Sequence, residues 1–177
     1  MGLQNQGRAR EREQGFSLIE LLIVVAIILI IAAIAIPSLL RARIAANEAS
    51  AASSVRQISR AEVAYYAAYP DKGYADALAN LAGPVINCQP SVNTGCMLDP
   101  SLSSGVKSGY QFAATGAVPS GPINTAFVVG ASPVTFNGTG TREFCSVSDG
   151  VLRAQNGVDG DPPPSDVAMC AAFPPAQ

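Results

Sequence analysis

Residues 15–37 read GFSLIELLIVVAIILIIAAIAIP. Glu20 is the only charge in the stretch, and Leu21 to Ile36 is an unbroken run of sixteen apolar residues. An α-helix rises about 1.5 Å per residue, so residues 16–36 span roughly 31 Å, close to the hydrocarbon core of a bilayer at about 30 Å. A helix that is apolar on every side is rare in a small soluble domain. The stretch therefore reads as a helix covered by lipid or by other protein chains.

The helical pattern does not stop at its end. Residues 37–69, PSLLRARIAANEASAASSVRQISRAEVAYYAAY, are dominated by alanine, the strongest helix former. Leu40, Ile44, Ala51, Val55, Ile58, Ala61, Tyr65 and Tyr69 recur mostly at helical spacing and make an amphipathic stripe. Pro37 removes a backbone donor, but helical signal resumes at once, so a kink rather than an end is expected there. The expectation is one helix of about 53 residues, roughly 80 Å long. Pro70-Asp71-Lys72-Gly73 is a turn cluster that ends it.

Residues 70–177 have a different texture and are expected to form a β-rich globular domain. Ala75 to Leu81 suggests a short helix. Tyr110–Thr115, Thr125–Val129, Arg142–Val147 and Val151–Ala154 are strand candidates, with Asp149-Gly150 in a tight turn. Four short strands suit one small antiparallel sheet, which needs a helix to cover a face. The second half of the long helix is available for that role. The Pro-rich tail, Asp159–Gln177, reads as irregular and tied down near Cys170. Tyr65, Tyr66, Tyr69 and Tyr74 cluster near the helix end and are expected to pack the sheet onto it. Asn137-Gly138-Thr139 reads as a turn.

Composition narrows the function classes. The chain has 177 residues, a formal net charge of -2 and only 14% charged residues. It lacks the basic excess of a nucleic-acid binder. Histidine is absent, which excludes histidine triads and histidine metal ligands. Ser17 beside Glu20 has no histidine or lysine to activate it, so no enzyme and no cofactor are expected. The four cysteines, Cys88, Cys96, Cys145 and Cys170, suggest two disulfides in an exported domain, and four cysteines allow three pairings. Cys88 with Cys96 and Cys145 with Cys170 is favoured: the first closes a small loop, the second pins the tail to a strand. A zinc site is disfavoured, because no CxxC pair is present.

The N-terminal block, MGLQNQGRAREREQG, is polar and ends in Gly15. A secretory signal cut after Ala33-Ile34-Ala35 is one alternative. Glu20 argues against it, since a carboxylate within the apolar run is costly. The continuing helical register beyond Ile36 argues against it as well. Arg8, Arg10 and Arg12 in the leader, against Arg41 and Arg43 beyond the run, give a small positive-inside bias toward a cytoplasmic N-terminus.

Gly15 to Pro37 resembles the processing and assembly segment of type IV pilins and type II secretion pseudopilins. The resemblance covers residues 15–37 closely and the rest in general layout. It implies an α+β, pilin-like fold: a long N-terminal helix, membrane-spanning in its first half, against a small antiparallel sheet with a disulfide-tied C-terminal region. It divides the chain into a cleaved leader (1–15), a transmembrane and assembly helix (16–36), its amphipathic continuation (37–69) and the periplasmic or extracellular β-rich domain (70–177). It implies cleavage between Gly15 and Phe16 by a prepilin peptidase, N-methylation of Phe16 by the same enzyme, and assembly roles for Glu20 and Pro37. A fifteen-residue leader is long for the subclass that begins with phenylalanine.

The function so implied is a structural subunit of a type IV pilus. The alternatives are a major or minor pseudopilin of a type II secretion system and, from another class, an anchored or secreted binding module. The implied partners are further copies in a homo-oligomeric fibre, the inner-membrane assembly machinery, and minor pilins or pseudopilins. The implied location is the bacterial inner membrane, single-pass with the N-terminus cytoplasmic, then a surface pilus or periplasmic pseudopilus. Major pseudopilins carry a calcium site near the C-terminus, which makes Asp159, Asp161 and Asp166 weak candidates, although Pro162-Pro163-Pro164 does not fit an EF-hand loop.

Mass spectrometry of the N-terminal peptide checks the processing. The expected mature start is N-methylated Phe16. A start at Ile36 would instead indicate ordinary signal-peptide cleavage.

Overall fold

The computed structural model describes residues 15–84 and 86–176. The expected leader lies, apart from Gly15, outside the described residues. Two compact units divide the chain, Met1–Leu39 and Leu40–Gln177.

Helix α1, Leu18–Ala68, has 51 residues and runs through Pro37 without interruption. From Glu48 onward it buries one face: Glu48, Ala51, Ser54, Val55, Ile58, Ser59, Ala61, Glu62 and Tyr65. The spacing of three and four is that of a single helical stripe. Leu40, the first residue of the anticipated stripe, is exposed, so the buried face starts later than the apolar pattern suggests.

The sheet is an antiparallel meander in sequence order: β1 (Val106–Lys107), β2 (Tyr110–Ser120), β3 (Ile123–Pro133), β4 (Arg142–Val147) and β5 (Arg153–Asn156). Four strands were expected; the fifth, β1, is only two residues long. The strands β2 and β3 run further than their apolar cores. Their extension ends in a hairpin where Gly121 has φ 66° and Pro122 follows, the sign pattern of a type II′ turn, which suits the right-handed twist of paired strands. Gly150, with φ 73°, donates to the Val147 carbonyl in the turn between β4 and β5.

Alternation along the strands gives the sheet two buried faces. Tyr110, Phe112, Ala114, Phe127, Val129, Ala131 and Phe144 join the α1 stripe in the main core. Val128, Cys145 and Val147 point the other way and pack with Cys170 and Phe173. The segment that covers this second face is the tail. It was expected to be irregular, but it contains α3 (Val167–Ala172), whose first turn is capped by Asp166 accepting from the Met169 N–H at 2.8 Å. The Cys145–Cys170 disulfide joins α3 to β4 with Cα atoms 5.9 Å apart. At Gly130 a side chain would collide with the Pro164 backbone, so the close approach of the tail requires glycine there. Beyond α3, Ala154 donates to the Pro174 carbonyl and Ala176 to the Leu152 carbonyl, which covers the free edge of β5.

Between α1 and the sheet the chain forms a 3-10 turn at Leu78–Leu81 and a short helix α2, Pro100–Ser103. The helix anticipated at 75–81 is thus only its last turn. Cys88 and Cys96 are bonded in this region, Cα atoms 6.0 Å apart. The Tyr65 hydroxyl donates to the Val92 carbonyl, tying the connecting loop to α1.

Two carboxylates sit on the buried face of α1. The Glu48 carboxylate accepts from the Thr141 N–H and hydroxyl at 2.9 and 2.7 Å and from Arg142 Nε at 2.8 Å. Burial raises its pKa, but the bonds from Thr141 and Arg142 prevail and hold it below the ordinary value. Glu62 is fully buried, and its Oε2 accepts from the Ala75 N–H at 2.9 Å. Its Oε1 has no hydrogen-bond partner among the described residues. Burial pushes its pKa up to about 7; the Ala75 bond opposes that, and the nearby Asp76 adds to it.

A carboxyl whose pKa is raised by folding stabilises the fold most when protonated. The Glu62 contribution is fully present below its ordinary value of 4.5 and is lost as pH rises toward about 7. Between pH 5 and pH 8 the change amounts to about 2–3 kcal/mol. Glu62→Gln removes it. Between pH 5 and pH 8 the Tm of the variant should therefore gain several degrees on wild type. Thermal melts of the detergent-solubilised chain at the two pH values check this, and a constant gap would show that Glu62 does not titrate in this window.

Candidate functional site

The first turn of α1 opens with the Leu21 N–H donating to the Ser17 carbonyl at 3.2 Å. Glu20 lies in this turn, where the partial positive charge of a helix N-terminus favours a carboxylate. Every large apolar side chain from Phe16 to Ile36 is exposed, from 46% at Val25 to 81% at Leu18. The segment is long and apolar enough to cross a membrane, and none of it is buried in the single chain. A contiguous apolar surface of this extent requires lipid or another protein chain.

Within that surface Glu20 stands alone. Among the described residues the ion pairs are Arg142–Glu48 and Arg153–Asp149, neither of which involves it. An ionised carboxylate taken out of water needs a cation or hydrogen-bond donors. Pro37, inside α1, has no N–H to offer the Ala33 carbonyl one turn earlier. Ala32, Ala33 and Ala35, then Ala42, Ala45, Ala46 and Ala49, leave room for close helix approach.

The remaining sequence candidates fall elsewhere. All four cysteines are in disulfides, with no free thiol among the described residues. Asp159 and Asp161 are exposed, and Asp166 is occupied as the cap of α3. Among the described residues no three His, Cys, Asp or Glu side chains come together as a metal centre. The tyrosines do couple helix to sheet. Tyr66 stacks on Tyr74 at 4.9 Å, and Tyr74 meets the Phe127 ring of β3 edge-on at 4.8 Å. Tyr65 and Tyr69 pair at 4.9 Å. Asn137 to Thr139 form a turn, with the Thr139 N–H donating to the Thr135 carbonyl.

Sequence reasoning missed Glu48 and Glu62 as anchors. The signal was present: both fall in register with Ala51, Val55, Ile58 and Tyr65, so they lie on the stripe that must be buried.

The prokaryotic N-terminal methylation motif matches residues 10–36. No curated protein and no solved structure matches the chain. The chain thus carries a prepilin-type methylation motif, a long apolar N-terminal helix and an α+β unit whose C-terminal region is held by Cys145–Cys170. Together these are features of the pilin and pseudopilin family.

The core of the second unit is drawn from Ala51 onward, without residues 15–39. A chain beginning at Leu40 should therefore stay in solution without detergent, elute as a monomer and unfold cooperatively. Size-exclusion chromatography with light scattering, followed by a thermal melt, checks this. Aggregation or non-cooperative melting would show that the first unit is needed for the fold.

Proposed function

We propose that this chain is a structural subunit of a type IV pilus, held in the inner membrane by residues 16–36 before assembly and joined to its copies through the same residues afterwards. The observation that carries the reading is the methylation motif over residues 10–36, together with the large apolar side chains from Phe16 to Ile36, which are all uncovered in the single chain. Cleavage after Gly15 and methylation on Phe16 are supported by the resemblance of Gly15-Phe16 and Glu20 to the prepilin pattern. The N-terminus begins cytoplasmic, where a prepilin peptidase acts, and residues 70–177 are exported. Assembly machinery of the inner membrane and minor pilins are the further partners.

Cleavage creates an amine at Phe16, four residues before Glu20. In a bundle of packed helices, that amine on a neighbouring chain displaced along the axis is a cation at the right depth for the Glu20 carboxylate. The pairing sets one axial stagger, because any other leaves a charge unpaired in an apolar surround. Pro37 frees the helix to adjust just beyond the apolar run.

Glu20→Ala tests this. The variant should remain in the membrane, be cleaved after Gly15 and keep its disulfides, since none of these uses the carboxylate. The ratio of sheared surface fibre to membrane-held subunit should fall by about tenfold or more, as expected for removing one member of a buried charge pair. Wild-type fibre yield from the variant would end the pairing. Fibre confined to the periplasm in the wild type would move the chain to the pseudopilin class.

A further inference from the structure

The second unit has a groove of about 320 Å³ between α1 and the sheet. Arg56, Arg60 and Val63 of α1 form one wall; Phe127, Ser146 and Ser148 form the other. Phe127 belongs to the α1-facing side of the sheet, and Ser146, two residues on from Phe144, points the same way. Arg56 and Arg60 are exposed, stand one helical turn apart and take no part in the ion pairs found among the described residues. Val63 is 55% exposed, so the groove offers two cations beside an uncovered apolar side chain.

The opposite face of the sheet carries the complementary chemistry. Residues 159–166 read DGDPPPSD, and no lysine or arginine occurs from Ala154 to the end of the chain. Asp159, Asp161 and Pro162 are exposed. The segment is held in place rather than merely present. The Asp161 carbonyl accepts from Gln111 Nε2 at 3.4 Å, the Asp161 N–H donates to the Val158 carbonyl, and Pro164 is packed over Gly130. Gln111 and Gly130 point away from the α1 side.

We propose that the Arg56–Arg60 groove receives the acidic, proline-rich segment Asp159–Pro163 of a second copy of this chain. The two patches differ in charge and lie on opposite faces of one sheet. A contact between them is head-to-tail, and such contacts do not close on themselves unless the rotation happens to return. The contact therefore propagates, and it supplies lateral contacts between globular units that the apolar helix cannot make. The inference rests on the fibre reading above.

Charge reversal on each face tests it, with sheared fibre per membrane-held subunit as the readout. Arg56→Glu with Arg60→Glu, or Asp159→Lys with Asp161→Lys, should each lower the yield by about tenfold or more through like-charge juxtaposition. The two variants expressed together should recover to within about threefold of wild type, because each then presents the patch the other needs. The chain carrying all four substitutions should recover likewise. Wild-type yield from either single-face variant, or losses that neither combination repairs, would overturn the contact. Loss on reversing the groove with no effect from the segment would assign the groove to a different partner and also overturn it.

If the wild type forms no fibre, the pilus reading fails, and the contact is judged separately. Arg56→Lys with Arg60→Lys, treated with a zero-length carbodiimide in native membranes, should give dimers linked from position 56 or 60 to Asp159 or Asp161. Their absence would remove the contact too.

Discussion

A carboxylate on an otherwise apolar helix surface is the constraint on which the first unit depends. Glu20 takes part in neither ion pair found among the described residues. Water satisfies a carboxylate but repels the helix; hydrocarbon satisfies the helix but not the carboxylate. Glu20 stands one turn from Phe16, at the end of the apolar run, where headgroups remain within reach while the chain is in a bilayer. Once helices replace lipid, that recourse is gone and a cation must come from protein. A residue tolerable in a membrane would therefore be selective in the proposed assembly.

The second unit solves a related problem by the opposite means. Glu48 and Glu62 are carboxylates on a helix face packed against a sheet, and their surroundings divide them. Glu48 receives three donors, two from Thr141 just before β4 and one from Arg142 at its start, and stays ionised, which fixes where along α1 β4 begins. Glu62 receives one donor, from Ala75 just after the chain turns back, and its second oxygen is left without a partner. One end of the interface is thus locked electrostatically, while the other is tied through a group whose charge depends on pH. Between them, alanine at 51 and 61 lets the helix approach the aromatic residues of β2, β3 and β4 closely.

Reading the sequence located the elements with a local period and missed those that depend on contact at a distance. Sixteen unbroken apolar residues and the alanine-rich stripe announce α1, and β4 falls on the residues its alternation marks. The tail gave no such signal. The favoured Cys145–Cys170 pairing did anchor it to a strand, but its proline run suggested irregular chain, whereas Asp166 caps a helix there that the bond holds over the second face of the sheet. No periodicity within residues 159–177 encodes that placement; what does is the outward alternation of Val128, Cys145 and Val147, which leaves an apolar face in need of cover. At the candidate site, the residue types were readable because they lie consecutively. The groove of Arg56 and Arg60 was not, since its other wall arrives from β3 and β4, more than sixty residues later.

Exchange of lipid for neighbouring helices changes the apolar surroundings of residues 16–36 very little, because lipid tails are as apolar as leucine. Hydrophobic burial therefore holds the chain in either place without deciding between them. What would decide in the proposed fibre is whatever differs between the two surroundings: close packing at the alanines, the proposed charge pair at Glu20, and the proposed contacts among the second units. Each is modest alone, and exposed ion pairs are worth only about 0.2–1 kcal/mol apiece. In the proposed fibre, however, every copy would make all of them at once, and the stagger that satisfied one would have to satisfy the rest. An assembly built this way draws its attachment from the apolar helix and its geometry from a few polar groups. Its register is then sensitive to substitutions that leave the folded subunit unchanged.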